Sequence, residues 1–190
     1  MSYPDHNLSE CRIVRDFEEL LTQNQLFSCF YVDAPWDFRN RSSRGAAINH
    51  YGTLCSEEIE RLPISKIAAP NAHLHLWAPN ALLPDCLKVI KAWGFEYKTN
   101  FAWVKPRMGL GNYWRSSHEL LLLGVRGRLS FKVKDKRSWF EAPRTDHSTK
   151  PDSIRELVEQ VSPGPYLELF GRRTTPGWTV FGDQVEQMLF

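Results

Sequence analysis

Short strand-forming runs alternate with helical patterns along this chain. Runs rich in aromatic and aliphatic residues predict strands at Cys11–Val14, Phe27–Val32, Ala72–Ala78, Phe95–Val104, His118–Val125, Tyr166–Phe170 and Trp178–Phe181. Apolar residues at helical spacing predict helices at Asn80–Trp93 and Pro151–Val161, and Ser56 followed by two acids predicts the start of a shorter helix. Strands that alternate with helices indicate an α/β fold with a mostly parallel sheet.

Length and composition indicate one globular domain. The chain has 190 residues, 42% hydrophobic and 24% charged, so we expect a single domain over residues 1–190, with a loose arm at 1–10 and no separate target-recognition domain. The four cysteines form no Cys-x-x-Cys pair, which disfavours disulfides and zinc and indicates a reducing cytosol. No apolar run reaches the ~18 residues of a membrane span, so no membrane partner is expected. The polar amino-terminus is unlike a signal peptide.

Charge is distributed locally. A net charge of +2 provides no overall basic field, so any surface for phosphates must lie in particular loops. In residues 105–117 cations interleave with aromatic residues and glycines, a pattern typical of loops that face nucleic acid. A solvated surface loop is the alternative for each basic segment. The candidate loops are 39–49, 105–117 and 132–146, and their foremost side chains are Arg39, Arg41, Arg44, Lys105 and Trp114.

Two histidines raise the question of a metal. His73 and His75 stand two positions apart in a predicted strand and therefore share one face. No third ligand follows at a suitable local spacing, so no metal site is predicted. We interpret both histidines as polar or partly exposed strand positions.

The strand at Phe27–Val32 stops at a carboxylate, Asp33, and Ala34, Pro35 and Trp36 follow. Ligands of open α/β sheets bind beyond the carboxyl ends of strands, so we expect Asp33 and Trp36 at the mouth of a pocket. The Asp33 carboxylate and the Ala34 carbonyl can each accept a hydrogen bond from the amino group of adenine and so localise its lone pair. Trp36 can stack on the base, a contact worth about 1–3 kcal/mol. An ordinary strand exit with a turn proline is the alternative.

A second strand exit, Glu168–Arg172, runs into a glycine that lets a ligand approach the backbone closely. Arg172, Asp183 and Gln184 carry the polar groups that suit a ribose and an amino-acid carboxylate. Lys150 can add a point charge for the same carboxylate. A surface polar role is the alternative for each of these residues.

These pieces together resemble one family. It is the family of the catalytic subunit of the eukaryotic mRNA adenosine methyltransferase, which also includes bacterial and phage DNA adenine methyltransferases. The resemblance covers roughly residues 27–185 and rests on motifs in the family's order: Asp33–Trp36, Tyr51–Thr53, Leu76–Trp77, Trp93–Phe95, Trp103–Lys105, His118–Glu119, Gly124–Val125, His147–Asp152, Ser162–Gly164, Glu168–Arg172, Trp178 and Gly182–Gln184.

The resemblance implies a Rossmann-like methyltransferase fold, with a mostly parallel twisted sheet, helices on both faces and a permuted motif order. It also implies S-adenosylmethionine as methyl donor. By this resemblance, Asp33 contacts both the donor and the target amine, and Lys150 binds the donor carboxylate. Tyr51 and Trp36 lie on either side of the target base. The remaining residues implied at the donor's ribose and adenine are Phe170, Gly171, Arg172, Thr174, Asp183 and Gln184.

Four departures from the family pattern modify these expectations. Ala34 replaces the usual proline, which should be tolerated because the chemistry uses the backbone carbonyl. Asp183 stands where asparagine is common, and either can accept from a ribose hydroxyl. Residues 173–175 differ from the turn of the mRNA enzymes in the donor region. Asn100, at a substrate-binding position, stands where those enzymes carry glutamate, which bears on RNA-like handling of the target.

The leading hypothesis is therefore methylation of the 6-amino group of adenine in DNA, at a short or relaxed recognition sequence, in a bacterial or phage-infected cytoplasm. A duplex target would have to be flipped out, at a cost of a few kcal/mol. The same reaction on RNA is the first alternative. The second is a catalytically silent nucleic-acid-binding subunit, and a homodimer or a partner subunit is left open.

Overall fold

A computed structural model describes residues 11–37, 53–111, 113–144 and 150–182. The strands are β1 (Arg12–Val14), β2 (Phe27–Val32), β3 (Ala68–Ala78), β4 (Glu96–Val104), β5 (His118–Arg126), β6 (Trp139–Glu141), β7 (Tyr166–Leu169) and β8 (Trp178–Phe181). The helices are α1 (Phe17–Thr22), α2 (Ser56–Glu60), α3 (Ile64–Ile67), α4 (Leu83–Ala92) and α5 (Asp152–Val161), and a 3₁₀ turn at Asn80–Leu82 leads into α4.

One sheet carries the eight described strands in the order β1-β8-β7-β2-β3-β5-β4-β6. Strand β5 is antiparallel to β3 and β4, and the other neighbouring pairs are parallel. The predicted α/β fold with a mostly parallel sheet is therefore confirmed. After β2 the chain continues to β3 on one side, whereas β7 returns on the other side, so a crevice opens at the carboxyl ends of β2 and β7.

Helices cover both faces of the sheet. Phe30 and Val32 of β2 pack with α1 to α4 on one face, called the α4 face. Cys29 and Tyr31 alternate with them and pack with α5 on the opposite face, called the α5 face. Because both faces of β2 are covered, its residues are nearly all apolar, as expected for a buried parallel strand.

Several boundaries differ from the sequence prediction. Strand β3 begins at Ala68 rather than Ala72, and the helix predicted from Asn80 divides into a 3₁₀ turn and α4. The N-cap of α2 is Cys55 rather than Ser56, because the Glu58 carboxylate accepts a 2.8 Å hydrogen bond from the Cys55 N–H. Gly94 has the left-handed φ of 82° predicted for a helix cap.

The two histidines of β3 are buried, so the expectation of partly exposed positions is wrong. The Ser162 Oγ lies 2.9 Å from His73 Nδ1 and 2.8 Å from His75 Nε2, and His73 Nε2 lies 3.1 Å from the Leu129 carbonyl oxygen. Burial lowers the pKa of His73, and burial with the neighbouring His73 lowers the pKa of His75 to about 3. The network is therefore neutral at physiological pH.

Among the described residues, no cluster of three or more His, Cys, Asp or Glu side chains is arranged to hold a metal ion. Within the same ranges, no helix has both the length and the apolarity needed to cross a bilayer.

Candidate active site

The carboxyl ends of β2 and β7 lie side by side. Val32, the last residue of β2, pairs with Leu169, the last residue of β7, and Leu169 pairs in turn with Phe181. Asp33 and the turn that begins at Phe170 therefore leave the sheet at one edge, about 4.8 Å apart in the hydrogen-bonding direction. The two predicted halves of the site share this edge.

Asp33 forms an ion pair with Lys150, which precedes α5. The Lys150 Nζ lies 2.8 Å from Asp33 Oδ1 and 2.7 Å from Oδ2. The side chain of Asp33 is 39% exposed, whereas that of Lys150 is 14% exposed. The ammonium group also lies 5.2 Å from the centroid of the Trp77 ring. A carboxylate accessible to solvent thus stands beside a cation held in the wall of the site.

Lys150 forms a second ion pair, with Glu119. The Glu119 Oε2 lies 3.5 Å from Lys150 Nζ, and Glu119 Oε1 accepts a hydrogen bond from Lys105. Burial opposes the ionisation of Glu119, but the ammonium groups of Lys150 and Lys105 outweigh it and keep the pKa of Glu119 below its usual value. No role was predicted for Glu119 beyond its motif, although a carboxylate at the start of an apolar strand is a signal in the sequence.

Lys105 does not face solvent as the loop prediction required. Its side chain is 5% exposed, and its Nζ lies 4.4 Å from the centroid of the Trp103 ring. The predicted contact between Lys105 and nucleic acid is therefore corrected. The residue is an internal cation of the site because Glu119 and Trp103 both attract its ammonium group.

Backbone hydrogen bonds join the segment after Asp33 to Leu54. The Trp36 N–H donates to the Ala34 carbonyl at 2.9 Å, the Leu54 N–H donates to the Pro35 carbonyl at 2.8 Å, and the Asp37 N–H donates to the Leu54 carbonyl at 2.9 Å. These bonds fix the backbone whose Ala34 carbonyl was predicted to contact the target amine. Carbonyl oxygens have two lone pairs, so Ala34 retains one for a ligand.

Trp36 lies in the core and not at the mouth of a pocket. The residue is 5% exposed and packs with the cluster on the α4 face. Its buried Nε1–H has no hydrogen-bond partner in the structure as described. The predicted stacking of Trp36 on a base is not available in this conformation, because the bridge to Leu54 turns the indole inward.

The donor-side turn packs backbone against backbone. Phe170 has a left-handed φ of 62°, which is uncommon for a bulky residue. A Cβ atom at Gly182 would collide with the Gly171 carbonyl, and the Gly171 N–H donates to the Phe181 carbonyl at 3.0 Å. The glycines therefore allow an approach that no other residue permits.

A buried ion pair supports this turn. Arg155 of α5 donates to both carboxylate oxygens of Glu168 at 2.9 Å, and Arg173 donates to Asp152 at 2.8 Å. Burial raises the pKa of Glu168, although Arg155 opposes this shift. Arg155 was not predicted as a site residue. The available signal was Glu168 inside an apolar strand, since a buried carboxylate requires a cation.

The other predicted residues fall in four groups. Arg172 and Thr174 are exposed on the donor-side turn, and Thr174 lines a polar cavity of about 270 Å³ with residues of α5. Trp114 is 92% exposed on the 105–117 loop. Asn100 lies in the middle of β4, three strands from β2, where it donates to the Tyr97 hydroxyl at 2.9 Å. Outside the described residues lie Arg39, Arg41, Arg44, Tyr51, Asp183 and Gln184.

Comparisons with known proteins find similar methyltransferases. The chain is 30% identical to the N(6)-adenine-specific methyltransferase METTL4 of Homo sapiens, over 88% of this chain and 39% of METTL4. It is 24% identical to the type II methyltransferase M.MunI of Mycoplasma sp., over 90% of this chain and 84% of M.MunI. It is 29% identical to the N(6)-adenosine-methyltransferase catalytic subunit METTL3 of Homo sapiens, over 84% of this chain and 28% of METTL3.

The chain thus spans well under half the length of METTL4 and METTL3 and most of the length of M.MunI. A family model described as MT-A70 matches residues 27–184, a range that contains both strand ends of the site. This protein therefore belongs to the MT-A70 family.

Proposed function

We propose that this protein transfers a methyl group from S-adenosylmethionine to the 6-amino group of adenine in DNA. The observation that carries the proposal is the pairing of Asp33 with Lys150 at the common edge of β2 and β7. An exposed carboxylate beside an anchored ammonium group offers one acceptor and one donor to ligands that carry both kinds of charge.

The donor suits these groups. Methyltransferases of this family use S-adenosylmethionine, whose sulfonium supplies an electrophilic methyl group. Its amino-acid end has an ammonium and a carboxylate, which match Asp33 and Lys150 respectively. The turn at Phe170–Gly171 supplies backbone that a ligand can approach, and Arg172 and Thr174 supply exposed polar groups beside it.

Asp33 has a further part in the reaction. The amino nitrogen of adenine gains a methyl group and gives up one proton. The Asp33 carboxylate accepts a hydrogen bond from that nitrogen and can take the proton, and the free lone pair of the Ala34 carbonyl accepts from the second hydrogen. Glu119, which is itself paired with Lys105, anchors Lys150 beside Asp33.

We favour DNA over RNA as the substrate because the chain spans most of M.MunI, a type II methyltransferase. RNA is the alternative, supported by the similarity to an adenosine methyltransferase. A catalytically silent binding subunit is disfavoured because both the carboxylate of Asp33 and its cation are present.

The test presents DNA and RNA oligonucleotides of matched sequence with a donor that carries a tritiated methyl group, followed by mass spectrometry of the nucleosides. We expect N6-methyladenine in DNA and about 10²-fold less of it, or lower still, with Asp33→Asn. Incorporation of the tritiated methyl group into RNA alone would identify RNA, and not DNA, as the substrate. Donor binding without any transfer would favour a silent subunit.

A further inference from the structure

We propose that a cavity on the α5 face is a second nucleotide site, which takes an unstacked base a few nucleotides from the target adenine and holds the phosphates around that base at a basic rim. The cavity has a volume of about 270 Å³ and lies between β4, β5, α5 and residues 131–138. This inference rests on the proposed function, since it concerns how the same nucleic-acid strand is held.

The floor of the cavity is apolar. Its lining includes Phe101, Leu121, Phe131 and Leu157, with His75 beneath. Its volume of about 270 Å³ is close to the lower end of the roughly 300–1,000 Å³ found for small-molecule sites. A cavity of this size and lining suits one planar ring system better than a long chain.

The rim of the cavity is basic. Residues 126–137 contain six Lys or Arg and one Asp, in a chain whose net charge is only +2. Lys134, Lys136 and Arg137 line the opening and are exposed, and the Arg137 guanidinium lies 5.8 Å from the centroid of the half-exposed Trp139 ring. Cations alternate here with Phe131 and Val133, the combination that holds phosphates and stacks bases in single-strand grooves.

The cavity is within reach of Asp33 along one strand of nucleic acid. One row of paired residues crosses the sheet through β2, β3, β5 and β4, and its members in that order are Val32, Leu76, Leu122 and Asn100. The cavity opens near the last two of these strands. At about 4.8 Å per strand, two to three strands correspond to about 10–15 Å. A stacked strand rises about 3.4 Å per nucleotide, so this distance equals a few nucleotides.

Two variants of the full chain test the basic rim and the cavity separately. The rim variant is Lys134→Gln/Lys136→Gln/Arg137→Gln, and its matched control, Lys66→Gln/Lys88→Gln/Lys91→Gln, removes three exposed charges from α3 and α4. The cavity variant is Thr99→Phe, which places a ring at the mouth of the cavity in an exposed strand position that tolerates aromatics. Melting temperatures verify that each variant folds.

The readout is fluorescence anisotropy with labelled single-stranded DNA, without methyl donor, as a function of salt. With about 0.7 released counterions per phosphate contact, the rim variant should lower the slope of log Kd against log salt by about 2, whereas the control should leave it unchanged. Equal slopes for the rim variant and the control would overturn the inference.

An abasic scan tests the base pocket. Removing one base at a time around the adenine should weaken wild-type binding about tenfold at one position, which is within the range of a stacking contact. Thr99→Phe should abolish this positional effect. A flat scan, or displacement of a fluorescent fatty acid from the cavity without any effect of DNA, would refute the inference. These assays measure binding and not methyl transfer. A protein that shows the positional effect but transfers no methyl group in the oligonucleotide assay would therefore refute the proposed function and leave this inference standing.

Discussion

Replacement of Asp33 by Asn separates the catalytic from the structural part of the ion pair. Asn has nearly the same shape, but it lacks the charge and one acceptor oxygen. Lys150 then loses the carboxylate at 2.7 Å, although Glu119 remains 3.5 Å away. The remaining anion prevents Lys150 from becoming an isolated buried charge, so the stability cost is limited.

The magnitude follows from exposure. Exposed pairs contribute about 0–1 kcal/mol, and removal of one partner of a buried pair costs about 3–5 kcal/mol. Side chains that are 39% and 14% exposed lie between these limits, and the presence of Glu119 moves the cost towards the lower one. We expect a loss of about 1–2 kcal/mol, or about 2–8 °C in melting temperature for a domain of this size.

The assay combines a thermal melt with methyl transfer at saturating donor. Loss of a carboxylate that accepts the amino proton should lower kcat about 10²–10⁴-fold. Asp85→Asn is the matched control, because Asp85 pairs with Lys88 at 2.8 Å on α4, far from the site. It should leave kcat unchanged. An Asp33→Asn protein that transfers methyl groups within tenfold of wild type, or that fails to fold, would refute the reasoning.

Three further predictions concern the support of the site. Glu119→Gln should destabilise the fold by about 3 kcal/mol or more, because Lys105 is then a buried cation without its partner; Lys105→Met should cost less in the same urea titrations. Because burial depresses the pKa of His75 to about 3, the unfolded state takes up more protons below pH ~6.5, so stability should be full above that pH and about 2 kcal/mol lower at pH 5; His75→Gln should flatten this dependence in urea titrations at the two pH values. Gly182→Ala should disrupt the turn against Gly171 and weaken donor binding measured by calorimetry, whereas Gly94→Asn, at a left-handed position where a Cβ meets no atom closer than 3.8 Å, should leave donor binding unchanged.

The sequence was sufficient for features set by neighbouring residues. The bounds of β2 agree with the prediction because an apolar run ends there at a carboxylate and a proline. The cap at Gly94 follows from a local requirement for a left-handed residue. The resemblance implied that Asp33 and Glu168–Gly171 serve one site, and parallel strands do present their carboxyl ends at one edge; that the two strands are neighbours is a finding of the structure.

Only the tertiary structure decided which charged and aromatic groups face the solvent. Lys105 and Trp36 stand in segments that look like exposed loops, yet contacts with Glu119 and with Leu54 direct both side chains inward. Arg155 reaches Glu168, and Ser162 reaches His73 across 89 positions of sequence. Burial and pairing depend on these distant contacts, because a charge or an indole has no local pattern that specifies its partner.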